Sequence, residues 1–215
     1  MIEFKRVSKK YPTGQLALYN VNLRLDAGEM VFLTGVSGAG KSTLLKLIAR
    51  LERPSEGHIL IGGKTLKLLS DQQIPSYRRN IGFIYQDPHL LDDQSVFDNV
   101  ALPLKIAGIS DDEIQHRTQA ALEKVDLKNK STRSPQMLSA GERQRVGIAR
   151  AVVNKPTIIL ADEPTGNLDP ELAEDIMHTF AQFNELGTTV LIASHDHALI
   201  ERMNKRTIVL QKVEN

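Results

Sequence analysis

Gly35-Val36-Ser37-Gly38-Ala39-Gly40-Lys41-Ser42 has the spacing G-x-x-x-x-G-K-S, which suits the binding of phosphate. Glycines let backbone N–H groups converge on an anion with no Cβ in the way. A helix opening at Lys41 adds unsatisfied N–H donors and the positive end of its dipole. Lys41 brings a positive charge to the outer phosphates, the Ser42 hydroxyl can ligate Mg²⁺, and Thr43 offers a further hydroxyl near the inner phosphate. A glycine-rich turn that happens to carry Lys-Ser has the same letters. The surroundings decide between the two. Apolar residues from Met30 to Thr34 precede the loop, and Leu44, Leu45, Leu47 and Ile48 follow it at helical spacing.

Asp162-Glu163 ends the apolar run Ile158-Ile159-Leu160-Ala161. In open α/β sheets, ligands bind outside the C-terminal ends of the strands. Asp162 can hold Mg²⁺ through water, and Glu163 can act as general base towards a water attacking a γ-phosphate. Such assistance is worth about 10²–10⁴ in rate. Without the phosphate loop, the pair would be a polar strand end. His195 follows another buried run and can reach a γ-phosphate oxygen or the attacking water, or serve as a satisfied structural histidine. His197 is expected at the surface. Gln86 follows a third strand and can report on Mg²⁺ or water. Tyr11, at the end of the first strand, can stack on a nucleobase or pack as an edge-strand tyrosine.

Leu138-Ser139-Ala140-Gly141-Glu142-Arg143-Gln144-Arg145 is a second candidate phosphate site. Ser139 is a good helix cap, and Gly141 lets backbone approach an anion. Spacing alone also fits a capped amphipathic helix. The two sites lie about a hundred residues apart. They are most simply reconciled in a head-to-tail pair, each nucleotide held between the loop of one subunit and Ser139 of the other.

The elements that must position these residues follow from periodicity. Residues 2–11 and 17–25 alternate as half-buried strands, with a Pro12-Thr13-Gly14 turn between them. Strands are expected at 30–34, 58–61, 81–85, 157–161, 188–193 and 207–210, and helices at 41–51, 111–125, 140–154 and 170–186. Residues 71–79 read as a helix interrupted by Pro75. From Ser95 to about Lys155 strand-like runs disappear, and the block reads as a helical insertion into an α/β core.

The composition is that of an ordinary globular chain, 41% apolar and 25% charged. The 215 residues fit one domain. The net charge of +1 favours neither nucleic acid nor a membrane surface. The lack of cysteine excludes disulfides, cysteine nucleophiles and thiolate metal sites. No apolar run reaches transmembrane length and the N-terminus resembles no signal peptide, so a cytoplasmic chain is expected.

The ordered set GVSGAGKS, Gln86, LSAGERQ, ILADEP, Gly166-Asn167-Leu168-Asp169 and His195 resembles the ABC-type ATPases over essentially the whole chain. The resemblance implies an α/β P-loop NTPase core with an N-terminal antiparallel β subdomain and an inserted helical subdomain. It implies a single domain over 1–215, with the core at about 1–86 and 156–215 and the helical part at about 87–155. Tyr11 would stack on adenine. Gly35, Ser37, Gly38, Gly40, Lys41, Ser42 and Thr43 would hold the phosphates of ATP, and Ser42, Gln86 and Asp162 would hold Mg²⁺. Glu163 becomes the general base and His195 the γ-phosphate sensor. Asp169 lies in a loop crossing the dimer interface, and Ser139, Gly141 and Glu142 address the partner's γ-phosphate. The family's usual signature is LSGGQ; Ala140 and Glu142 depart from it, Glu in a way common in one branch, and the Ala140 methyl predicts weakened or slower closure with function retained.

Longer runs, 28–35, 86–91, 96–104 and 183–196, are similar to the cell-division branch of that family, though lipoprotein-release and macrolide-export ATPases share much of the pattern. That branch implies an ATP-dependent homodimer, peripheral on the cytoplasmic face of the inner membrane, driving an integral membrane partner resembling FtsX. The partner would dock near Asp87 to Leu104, where Leu90, Leu91, Val96 and Phe97 are either exposed contacts or core. The rival readings are a transport ATPase of the same branch and a soluble ATP switch on nucleic acid or ribosomes. A single cassette with near-zero charge argues against the switch, so no nucleic-acid partner is expected.

Overall fold

A computed structural model describes residues 1–213. The chain opens with β1 (Ile2–Lys10) and β2 (Leu16–Leu25), then β3 (Met30–Thr34) leads through the phosphate loop into α1 (Lys41–Ile48). β4 (Glu56–Ile61), β5 (Lys64–Thr65), α2 (Ile74–Arg78) and β6 (Ile81–Ile84) follow. Three helices, α3 (Val96–Ile106), α4 (Asp111–Lys124) and α5 (Ala140–Val152), separate β6 from β7 (Ile158–Asp162). α6 (Pro170–Glu185), β8 (Thr189–Ala193), α7 (His197–Met203) and β9 (Arg206–Val209) complete the fold.

The strands form two sheets. One is antiparallel, in the order β2-β1-β4-β5; the other is parallel, in the order β6-β7-β8-β3-β9. The central parallel strands are apolar on both faces, so each alternation sends one set of side chains each way. Val31 and Leu33 of β3 face α1 and the antiparallel sheet, in a cluster with Phe4, Leu25, Leu44 and Ile48. Phe32 of β3 points the other way, into a cluster with Ile159, Ile192, Phe180 and the inserted helices through Val96, Val100, Leu122 and Val146. The insertion therefore shares its core with one face of the parallel sheet. Burial of each large side chain here is worth about 1.5–3 kcal/mol.

Helix ends explain several boundaries. The α3 helix starts at Ser95, whose hydroxyl accepts from the Asp98 N–H at 3.0 Å. The sequence pattern specifies no separate helix there, and Pro103, a residue that disfavours helix interiors, lies within it. Asp111, Asp112 and Glu113 fill the first turn of α4 and Lys124 its last, which suits the dipole. Pro75 does not interrupt α2 but sits in its first turn, where its missing N–H costs nothing. The first helix stops at Ile48 instead of Leu51, since Arg50 turns to φ 57. Val96 is fully buried, so it belongs to the core and not to an exposed docking surface; Leu90 and Phe97 are half-buried against the same core, and Leu91 is exposed.

Candidate active site

Register brings the chemistry to one edge. Ala193 of β8 lies opposite both Leu33 of β3 and Asp162 of β7, so those strand ends are level. The Ser194 N–H donates to the Leu33 carbonyl at 3.2 Å and the Glu163 N–H to the Ala193 carbonyl at 2.9 Å. The phosphate loop, Asp162-Glu163 and Ser194-His195 thus leave the sheet side by side.

The phosphate loop delivers an open helix end. Gly40 caps α1 at φ 95 with no side chain bonded to the first-turn N–H groups. A Cβ on Gly40 would sit 2.5 Å from the Ala17 carbonyl oxygen, so both the left-handed backbone and the packing on β2 require glycine. The Lys41 ammonium donates to the Gly35 carbonyl at 2.8 Å and stands 3.8 Å from Glu163 Oε1. The Ser42 hydroxyl donates to Asp162 Oδ1 at 2.9 Å. Thr43 Oγ1 lies 3.2 Å from the Tyr11 hydroxyl. Together Tyr11, Gln15, Ala17, Glu163 and the loop from Ser37 to Thr43 line a cavity of about 340 Å³.

Glu163 is the most constrained of these residues. Its backbone is left-handed at φ 49, a conformation that costs a non-glycine residue about 1–3 kcal/mol. The cost is held by the bond to Ala193 on one side and by the Gly166 N–H, donating to the Glu163 carbonyl at 3.1 Å, on the other. The carboxylate is only 18% exposed and lies between two partners: Lys41, 3.8 Å from Oε1, and His195, whose Nδ1 lies 2.8 Å from Oε2. His195 itself is exposed, as is His197. In this arrangement His195 is joined to Glu163 through Nδ1 while most of its side chain stays exposed.

Other expected site residues have different neighbours. Gln86 is exposed, and its side-chain amide donates to Asn167 Oδ1 at 3.3 Å. Asp169 caps α6, accepting from the Leu172 N–H at 3.0 Å. Ser139 is exposed and caps α5 in a reciprocal box: its hydroxyl accepts from the Glu142 N–H, and Glu142 Oε2 accepts from the Ser139 N–H. Glu142 also pairs with Lys130; that bond, then the backbone bond from Ser139, holds its carboxyl below the usual glutamate range. The Glu142 carboxylate is thereby committed within its own subunit. Ala140 is exposed at the first position of the helix. Gly141 is buried, and a Cβ there would stand 2.0 Å from Leu172 Cδ2. A side chain here would have to displace Leu172, so the close packing between the starts of α5 and α6 favours glycine independent of any approach to an anion.

Sequence reasoning missed several supporting residues. Lys9 is buried, bonded to Glu52 at 2.7 Å and to the Arg53 carbonyl at 3.0 Å, with its ammonium 4.8 Å from the centre of the Tyr11 ring. Gln15 lines the cavity. Gln144 of α5 donates to the Tyr85 carbonyl at 3.0 Å, and Asn99 of α3 bonds both backbone groups of Leu91, so the segment after Gln86 is tied to the inserted helices. Only the helical register of Gln144 and Asn99, polar residues on otherwise apolar faces, hinted at this in the sequence.

Ser42 and Asp162 are hard oxygen donors already paired with each other, a set that fits a hard divalent cation such as Mg²⁺. Among the described residues there is no cluster of three or more His, Asp or Glu side chains, so such an ion would draw much of its coordination from phosphate oxygens and water.

An open helix end after a parallel strand, a lysine inside it and a strained carboxylate at the neighbouring strand end define a nucleotide-hydrolysing P-loop cassette. Residues 18–166 match the family described as ABC transporter. The cell division ATP-binding protein FtsE of Escherichia coli (strain K12) is 56% identical over 210 residues, covering 98% of this chain and 95% of the relative. FtsE of Bacillus subtilis (strain 168) is 44% identical over 211 residues, covering 98% and 92%. A dimeric post-hydrolysis structure of the ATP-binding cassette MJ0796, bound to ADP and Pi, superposes with a TM-score of 0.89 at 38% identity, over 100% of this chain and 97% of that one. The chain therefore belongs to the ABC transporter family as an ATP-hydrolysing cassette, in the FtsE group of cell division ATP-binding proteins.

Proposed function

We propose that this chain is the ATP-driven subunit of an FtsEX-like complex in cell division. It pairs head to tail on ATP and signals through an integral membrane partner resembling FtsX to control peptidoglycan hydrolysis. One observation carries the mechanism: Glu163 is held between Lys41 and His195 in one half-site, while Ser139 lies exposed at the start of a different helix. Neither half is complete without a second copy. Among the described residues no helix is long and apolar enough to cross a membrane, so attachment to the inner membrane falls to the partner.

ATP entering the cavity meets the α1 N–H groups, and Lys41 exchanges its bond to Gly35 for the outer phosphates. Tyr11 stacks on the adenine. Ser42, Asp162 and Gln86 would hold Mg²⁺, which would supply positive charge against the phosphates. The Ser139 hydroxyl, already accepting from Glu142, keeps its own proton to donate to the γ-phosphate of the other subunit, beside the Gly141 backbone. Glu163, freed from Lys41, accepts a proton from the attacking water, and ADP and phosphate form. His195 holds the carboxylate in place and reaches the γ-phosphate from its other nitrogen. Asp169 keeps the start of α6, and with it the loop between Glu163 and Pro170, at the subunit boundary.

Driving an open–closed equilibrium from 1:99 to 99:1 takes about 5.5 kcal/mol of differential binding. Two ATP molecules, each contacted from both sides by charge-assisted bonds worth roughly 1.5–3 kcal/mol apiece, cover that amount. Loss of the γ-phosphate on hydrolysis removes the Ser139 contacts and reopens the pair.

Glu163→Gln keeps the shape and removes the base. Turnover is expected to fall about 10²–10⁴-fold, with an ATP-bound dimer accumulating in size-exclusion chromatography. A rapidly hydrolysing, monomeric ATP complex of that variant would end this reading of the catalytic site. For the partner, affinity isolation from detergent-solubilised membranes is expected to recover an FtsX-like protein. Recovery of a lipoprotein-release or export permease would replace cell division with transport while leaving the ATPase chemistry intact.

A further inference from the structure

A cavity of about 530 Å³ lies between α4 and the end of α5 on one side and the starts of β7 and β8 and the end of α6 on the other. It is larger than the cavity at the phosphate loop and shares no lining residue with it. Nothing in its lining suits a triphosphate: it has no open helix end and no hydroxyl–carboxylate pair. Its floor is apolar, formed by Ala121, Val153, Ile159 and Phe183, and its rim is cationic. Arg117 on that rim is neutralised by Glu113 at 2.5 Å. Lys124 and Lys155 have no carboxylate within ion-pair distance among the described residues. Lys124 holds its ammonium 5.7 Å from the Phe183 ring centre, and Lys155 stands at a left-handed φ of 54 where the chain leaves the inserted helices. Exposed Leu186 extends the apolar surface at the lip.

From this pairing of apolar floor and unneutralised cations we infer a binding site for a single-chain amphiphile with one anionic head, a free fatty acid. The volume lies in the range of small-molecule sites, about 300–1,000 Å³. Lys124 and Lys155 are exposed and hydrated, so an uncharged hydrocarbon gains nothing from them whereas an anionic head gains their charge, and a multiply charged polar ligand leaves the floor wet. The acyl chain lies on Ala121, Val153, Ile159 and Phe183, and the carboxylate takes Lys124 and Lys155. The site touches α5 and β7 at the ends remote from Ser139 and Asp162, so its occupant bridges the roots of both half-sites. The inference does not depend on the cell-division reading.

Calorimetric titration of the full chain with sodium dodecanoate, below its micelle concentration, tests it. One saturable site with a dissociation constant below about 1 mM is expected. Dodecanol, which has the same chain without the charge, and the double substitution Lys124→Glu with Lys155→Glu should each weaken binding about tenfold. Ala120→Trp, on the exposed lip, should abolish it. Circular dichroism and unchanged ATP hydrolysis report that the variants are folded. Equal affinity for dodecanoate and dodecanol, non-saturating uptake, or binding unaffected by Ala120→Trp overturns the inference. So does association with anionic lipid vesicles in the absence of any dodecanoate binding.

Discussion

The α1 helix begins at Gly40 with no side chain on its first N–H groups, whereas α5 begins at Ser139 inside a closed capping box. Both helix ends face phosphate in the proposed cycle, and the contrast separates their tasks. An uncapped end keeps its donors free and its dipole unanswered, at a cost in stability that bound phosphate repays. It is set in a cavity among Lys41, Ser42 and Glu163, all with partners inside the subunit. A capped end is stable without a ligand and offers chiefly a hydroxyl proton. It stands exposed, ready for a surface that arrives from outside. In the proposed cycle the first half-site does chemistry and the second offers a fixed shape.

The contrast can be broken from the α1 side first. Lys41→Ala should weaken ATP binding roughly 10- to 100-fold, from the loss of a charged phosphate bond worth about 1.5–3 kcal/mol, while thermal stability without nucleotide holds. A fluorescent-nucleotide titration checks this; unchanged affinity would contradict the role of Lys41. Gly141→Ala attacks the other end. The added methyl meets Leu172 and should cost about 1–3 kcal/mol by overpacking, read as a lowered urea midpoint. ATP affinity of the monomer should stay normal, and Leu172→Ala in the same chain should restore most of the stability. Failure of that rescue would show that Gly141 is needed for something besides packing.

The cap on α5 also makes a pH prediction. Lys130, and then the Ser139 N–H, lower the folded-state pKa of Glu142 below its unfolded value. Its contribution is therefore complete at pH values above the usual glutamate range and is lost as pH falls through the lower, folded value. Glu142→Gln preserves the box geometry without the charge. Wild type should be the more stable at neutral pH, and the gap should close on acidification below about pH 4.3, as measured by urea midpoints across pH. The α1 end carries no such dependence on Glu142. The smallest effect belongs to Lys9→Met. Removing the cation over Tyr11 should raise KM for ATP about two- to fivefold, from roughly 0.5–1 kcal/mol, and leave kcat unchanged.

Much of this molecule was legible before any coordinates. β3 runs over the apolar stretch before the loop, α4 and α6 end within a residue of their sequence patterns, and the loop, Asp162-Glu163 and His195 fall at strand ends as periodicity predicts. These are local properties: side-chain alternation, capping and glycine conformations act over a few residues. The α3 helix was not legible: Pro103 disfavours a helix interior at short range, while packing of Val96, Val100 and Leu104 into the core outweighs it. Val96 illustrates the same limit, since an apolar residue in a motif gives no sign of whether a sheet will cover it.

The sequence by itself determined a glycine loop carrying Lys41 and Ser42 after one buried run, the pair Asp162-Glu163 after another, and a helix capped by Ser139, in the order found in ATP-hydrolysing cassettes. Tertiary structure decided what those groups do before ATP arrives. It placed the Glu163 carboxylate between Lys41 and His195, tied Ser42 to Asp162 across 120 positions of chain, committed Glu142 to Lys130, and gave Gly141 a packing reason in Leu172. The physical reason is range. Backbone preference is written in neighbouring residues, but the partner of a charge is set by strand register and by which helix faces pack, and those are settled only when the whole sheet has formed.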